Sequence, residues 1–235
     1  MKKFYKLVSH RAENGGYHIL LDGKPVKRPS KANLLVPSQH LADEIVKEWA
    51  AQKEAIIPDT MPVTQLLITC QDRVAQERDV MQAAALKYLD TDLVCYPAEN
   101  PAALVALQEE RWGVWRTWFE NRFGAKLEIT TGLAAIAQDE NLRKSVAAYI
   151  MSLSDDHFTV LQLVTSLSGS LVLALAFTEG EAAPEDVIKA AFAEEDYQGT
   201  IYGADRYGED PMLAKQRKAM TRDLNAARVY LECLS

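Results

Sequence analysis

The stretch Pro37 to Val74, PSQHLADEIVKEWAAQKEAIIPDTMPVTQLLITCQDRV, divides a β-rich beginning from a helical remainder. Ser38 is placed to cap a helix, because its hydroxyl can accept a free N–H of the first turn. Leu41, Ile45, Val46 and Trp49 then fall on one face. Pro58 stops that helix, and Pro62 sits where a first turn tolerates a missing N–H. Leu66, Leu67, Cys70 and Val74 continue at helical spacing. The stretch therefore predicts a helix, a proline elbow and a second helix joining two unlike halves.

Upstream, Phe4 to Ser9 reads as a strand, Asn14-Gly15-Gly16 as a hairpin turn, Tyr17 to Leu21 as the return and Asp22-Gly23 as a second turn. Val26 to Arg28 and Leu34 to Val36 read as further short strands. So small a meander encloses no core alone, so the Trp49 helix should cover it, with Trp49 as a structural core residue. Downstream, Val80, Met81, Ala84, Ala85, Tyr88 and Leu89 give a helical face ending at Asp90-Thr91-Asp92. Asn100-Pro101 reads as a cap with proline at the first helical position. The helix it opens carries Leu104, Leu107, Trp112, Trp115, Trp118, Phe119 and Phe123. Leu127 and Ile129 alternate as in a short strand. Helices follow through Leu142 to Ile150, Phe158 to Thr178, Val187 to Phe192 and Leu213 to Leu234. The fold class is α+β: a β-rich domain over residues 1–75, with its covering helix and elbow, then a helical domain over 76–235.

The 235 residues are 48% hydrophobic and 25% charged, enough for a real core in a soluble protein. A net charge of −7 argues against general nucleic-acid binding. Residues 1–57 hold 10 basic and 6 acidic side chains, against 16 and 27 in the remainder. Between Glu179 and Asp210 ten acids face only Lys189 and Arg206. Cys70, Cys95 and Cys233 are odd in number and scattered, which predicts reduced thiols without disulfide or zinc. Phe158 to Thr178 is uncharged over about the length of a membrane span. Its six polar or glycine interruptions and unanchored ends predict a helix buried in a bundle instead.

Catalytic patterns are scarce. His10, His18, His40 and His157 lie in no nucleophile-type turn, and phosphate-binding glycine loops are missing. Asp90 and Asp92 stand at a helix end, where they could serve a metal or an incoming helix N-terminus; capping is the plainer reading. Asp205 to Asp210 lacks the alternating oxygen donors of a calcium loop. The run Glu194-Glu195-Asp196-Tyr197-Gln198 differs. At about 100° per residue, Glu195 falls close to Ile188 on the apolar arc, and Glu194 on its flank. A carboxylate held there would suit a partner's basic group.

Leu21-Asp22-Gly23-Lys24-Pro25-Val26, Glu48-Trp49 with Gln52, and Pro58-x-x-Met61-Pro62-x-Thr64 resemble one known family. Tyr88-Leu89-Asp90-Thr91-Asp92-Leu93-Val94-Cys95-Tyr96, Leu107-Gln108-x-x-x-Trp112 and Glu194-Glu195-Asp196-Tyr197-Gln198 extend the resemblance nearly end to end. It is the assembly chaperone family of the F-type ATP synthase that binds the free α subunit of the catalytic head. Tyr202 stands where the family usually has Trp, and Pro97 where an Arg often follows the tyrosine. The resemblance implies a non-enzymatic, monomeric protein without cofactor. It would shield an α-subunit surface until the α/β hexamer forms, with no nucleic-acid partner and no membrane insertion. The family's functional glutamate maps onto Glu194, with Glu195 adjacent, and Trp49 onto a structural tryptophan. The chain's start carries no leader-like pattern, which points to a bacterial cytoplasm, or to the mitochondrial matrix for a processed eukaryotic form. Two other classes stay open: a carboxylate-based metal enzyme using Asp90, Asp92, Glu194 and Glu195, and a structural subunit.

Overall fold

The computed structural model describes residues 1–13, 15–203 and 208–234. Asn14 of the first turn and positions 204–207, which include half of the rejected calcium-loop stretch, lie outside the described residues. The protein is α+β, and its chain divides into two units, Met1–Arg78 with Asn225–Ser235, and Asp79–Leu224.

In the first unit, β1 (Val8–Glu13) and β2 (Gly16–Leu21) form an antiparallel hairpin with Val8 opposite Leu21. β3 (Lys24–Pro25) and β4 (Leu35–Val36) both pair antiparallel with β2, which is the hub of the sheet. Gly16 has no room for a side chain. A Cβ there would lie 2.8 Å from Leu35 Cδ1 and 2.9 Å from the Val36 carbonyl. The turn at Asp22-Gly23 takes positive φ at both residues, as a tight two-residue hairpin loop requires.

The first strand starts later than the pattern predicts. The Asp22 carboxylate accepts the N–H groups of Lys6 and Leu7, while Lys3 and Met1 bond to the backbone of Glu54 and Ile56. Residues 2–7 are thus tied elsewhere before a strand can form. Likewise, Val26 to Arg28 form no strand of their own: Lys27 makes an isolated bridge to Asn33, while Val26 N bonds the Ile19 carbonyl at 2.8 Å.

α1 (Gln39–Ala50) is capped by Ser38, which accepts from Leu41 N at 3.1 Å and donates to the Cys233 carbonyl. Leu41, Ala42, Ile45 and Trp49 are its buried face, laid over β1 and β2. Glu48 explains the elbow. One oxygen accepts Val63 N at 2.7 Å, and the other accepts Thr64 N at 2.8 Å and the Thr64 hydroxyl at 2.6 Å. That carboxylate caps α2 (Pro62–Thr69), whose Pro62 stands in the first turn. Gln52 fixes the bend by bonding Glu48 O, Thr60 Oγ1 and Ile57 N. A π-helical turn, Cys70–Val74, then leads into α3 (Ala75–Lys87).

The second unit is built on α7 (Leu171–Thr178), every residue of which is buried. Against it pack α4 (Ala102–Phe123), α6 (Asp155–Ser168) and α8 (Pro184–Ala191), while α5 (Glu140–Ser152) packs on α4. The uncharged stretch Phe158 to Thr178 is two helices, α6 and α7, rather than one. Gly169 takes φ +68° at the end of α6, and Ser170 caps α7 through Leu173 N at 3.0 Å. Among the described residues no helix is long and apolar enough to cross a membrane. Leu127 to Ile129 is not a strand: the Glu128 backbone pairs instead with the side-chain amide of Gln138. In α4 the helix opens at Ala102 with Pro101 itself in the cap position, one residue later than expected.

Candidate functional site

The aspartates beside Thr91 are used by the fold. Asp92 is fully buried and accepts Val94 N at 3.2 Å and Val172 N at 3.0 Å, closing the N-terminus of α7. Burial pushes its carboxyl up to about 6, while bonds from Ser170 and the surrounding amides hold it down. Asp90 pairs with Arg143, and its carbonyl accepts the Tyr96 hydroxyl at 2.5 Å. Of the roles weighed for Asp92, two are realised: local capping, through Val94 N, and service of an incoming helix N-terminus, through Val172 N. Among the described residues no three His, Cys, Asp or Glu side chains are grouped to hold a metal ion.

The acidic run behaves differently. α8 ends at Ala191, and α9 (Ala193–Tyr202) starts after Phe192, whose φ and ψ of −106° and 24° break the helix. The phase carried from Ile188 to Glu195 therefore does not hold, because the break resets the rotation. Glu194, Glu195 and Asp196 instead form the first turn of α9, where the helix dipole favours negative charge. Ala193 is the only buried residue of α9, so this helix is attached mainly by polar bonds.

Each acid has a distinct setting. Glu194 is exposed, and its Oε1 accepts Gln108 Nε2 at 3.0 Å. Gln108 belongs to the buried stripe of α4, with Trp112, Trp115 and Phe119. Its own carbonyl accepts Ala98 N at 2.7 Å, so the amide that orients Glu194 is itself fixed. Asp196 bridges two arginines, Arg111 at 2.5 Å and Arg217 at 2.6 Å. Arg217, from α10 (Pro211–Glu232), also bonds Glu209 at 3.0 Å and lies 4.3 Å from the centre of the Phe192 ring. Trp112 supports the same corner by donating to the Ala190 carbonyl at 2.9 Å. Glu195 is half-buried and has no side-chain hydrogen bond or ion pair among the described residues.

Glu195 and Asp196 line a groove of about 670 Å³ together with Tyr202, Leu213 and Arg217. Large apolar side chains stand exposed at the same end of the unit: Ile201 at 59%, Tyr202 at 77% and Met212 at 74%. Glu195 thus lies in a groove beside apolar surface, and Glu194 stands exposed at the preceding position of the same helical turn. Trp49 lies in the first unit, buried on α1 and 5.8 Å from the Tyr5 ring, whose hydroxyl bonds the Trp49 carbonyl.

Reading the sequence missed Gln108, Arg111 and Arg217 as supports of this turn. Their partners are 86, 85 and 21 positions away, and no local spacing marks such pairs. The one available signal was a glutamine standing a turn before Trp112 in a stripe of aromatics.

Comparison with known proteins gives a consistent result. Residues 2–120 match the family described as ATP12 chaperone protein. Over 215 residues the chain is 25% identical to the mitochondrial protein atp12 of Schizosaccharomyces pombe, covering 86% of this chain and 74% of that protein. The crystal structure of Atp12 from Paracoccus denitrificans superposes with a TM-score of 0.87 at 30% identity, over 100% of this chain and 98% of that one. The Atu1473 protein of Agrobacterium tumefaciens superposes with a TM-score of 0.89 at 36% identity, over 100% and 86%.

Proposed function

The chain belongs to the ATP12 chaperone family, and on that premise we propose that it assists ATP synthase assembly by holding the free α subunit of the catalytic head. The α9 face is the contact in this reading. Glu194 and Glu195 meet a basic group of the client, and Ile201, Tyr202 and Met212 cover apolar surface that would otherwise drive aggregation. The compartment is the one where the synthase is assembled, a bacterial cytoplasm or a mitochondrial matrix.

The observation that carries the reading is the unequal treatment of three adjacent acids. Asp196 is matched by two arginines, so its charge serves the attachment of α9. Gln108 orients Glu194 without neutralising it, and Glu195 has no cation beside it among the described residues. A carboxylate fixed by a neutral donor keeps its full charge for an incoming cation, and a preordered group loses less entropy on pairing. Asp90 and Asp92, the other carboxylates considered for chemistry, are held in an ion pair and a helix cap.

Copurification tests this. A tagged chain isolated from its own cells should bring down the α subunit, identified by mass spectrometry, and should be missing from the finished synthase. Stoichiometric recovery in the mature complex, or capture of a different subunit alone, would contradict it.

A further inference from the structure

The first unit carries a second groove, unrelated to the α9 acids. Its volume is about 460 Å³, and Phe4, Tyr5, Leu21, Pro25, Val26 and Trp49 line it. Phe4 and neighbouring Leu7 are each 64% exposed. Their backbone is not free to turn these side chains inward. Lys3 N bonds the Glu54 carbonyl at 2.9 Å, and Asp22 holds the N–H groups of Lys6 and Leu7 at 3.0 and 2.8 Å. Apolar groups held outward by fixed backbone mark an interaction surface more strongly than scattered exposed ones.

The rim has a definite sign. Lys24 and Lys27 line the groove, are exposed, and form no salt bridge among the described residues. Asp22 also lines it and keeps its negative charge, which its two backbone donors stabilise, so the two lysines leave the rim with a net positive charge. In the wall, the Trp49 indole Nε1–H is buried with no acceptor among the described residues.

We infer that this groove docks an extended client segment in which apolar residues are flanked by Asp or Glu. The apolar side chains fill the walls, and the acids meet Lys24 and Lys27. Charge complementarity selects that chemistry. A concave site between two lysines fits side chains better than a flat anionic bilayer, and two lysines are too few to track a nucleic-acid backbone. Neighbouring β3 is two residues long and contains Pro25, so recognition rests on side chains rather than on an added strand. The inference rests on the family reading only in taking the client to be a polypeptide.

Nuclear magnetic resonance of the full-length, ¹⁵N-labelled chain tests it. The four tryptophans each give an indole N–H signal, and Trp49→Phe identifies that of Trp49. The probes are an acetylated, amidated Glu-Leu-Glu-Phe-Glu peptide, its Lys-Leu-Lys-Phe-Lys counterpart, and phosphatidylglycerol vesicles. The acidic peptide should shift the Trp49 signal saturably, and the lysine peptide should bind about tenfold more weakly or not at all. A folded Lys24→Glu, Lys27→Glu double variant should lose about tenfold in affinity for the acidic peptide, whereas Glu195→Lys should not change it. That last arm separates this groove from the α9 reading. No shift at Trp49, equal binding of both peptides, an unaffected double variant, or binding of vesicles without peptide would each overturn the inference.

Discussion

Asp92 shows how a residue that resembles catalytic chemistry is instead consumed by architecture. Its carboxylate is pushed up to about 6 first by burial, against the bonds that hold it down. Because the folded value lies above the unfolded one, the folded state holds the proton more tightly. This contribution to stability is therefore fully present below about pH 4 and is lost as pH rises through about 6. Asp92→Asn cannot titrate. Denaturant unfolding should show wild type losing about 3 kcal/mol relative to the variant between about pH 3.5 and pH 7. A pH-independent difference would refute the assignment. Trp49 is a simpler case. Truncation of a buried indole packed on Tyr5 removes transfer energy and leaves a cavity, so Trp49→Ala should cost about 3–5 kcal/mol. An unfolding midpoint near wild type would contradict that. At this scale the sequence made Ser38 and Pro62 legible, because capping and proline placement are local chemistry. Glu48 was quoted for resemblance alone. Its work, capping a helix that begins fourteen residues later, depends on a chain reversal that spacing does not announce.

Between elements, α7 and α9 stand at opposite extremes. Every residue of α7 is buried, whereas α9 buries only Ala193 and relies on Gln108, Arg111 and Arg217 for attachment. Local opening follows burial, so α9 amides should exchange with solvent deuterium much faster than those of α7. Asp196→Asn weakens both arginine bonds and should speed exchange in α9 by about tenfold while α7 is unchanged. Uniform acceleration in both helices would show that α9 does not open separately. The helices themselves were readable from period, but two breaks were not. Gly169 was read as one interruption in a continuous helix, yet the left-handed turn there is completed by Ser170 and by Asp92, from eighty residues away. Phe192 breaks the helix before the acids although no proline or glycine marks it. The helical phase assigned to the acids was thus derived through a bend.

Across the molecule, charge is divided by unit. Residues 1–78 and 225–235 hold 13 Lys and Arg against 10 Asp and Glu, leaving 13 against 23 in residues 79–224. The composition showed that imbalance early, although it did not show that the chain's last residues pack with its first unit. If the acidic unit steers a basic client, the association rate should fall as salt rises from about 50 to 500 mM, since screening shortens the range of attraction. A rate indifferent to salt would argue for apolar docking alone. The central claim is that Glu194 and Glu195 receive the α subunit, and capture of the purified α subunit by charge-reversed variants tests it most directly. Pull-downs with Glu194→Lys, Glu194→Gln and Glu195→Lys are to be read beside melting curves. The account predicts that both lysine variants lose capture, that Glu194→Gln loses less of it, and that all three melt close to wild type. Undiminished capture by both folded lysine variants would contradict it.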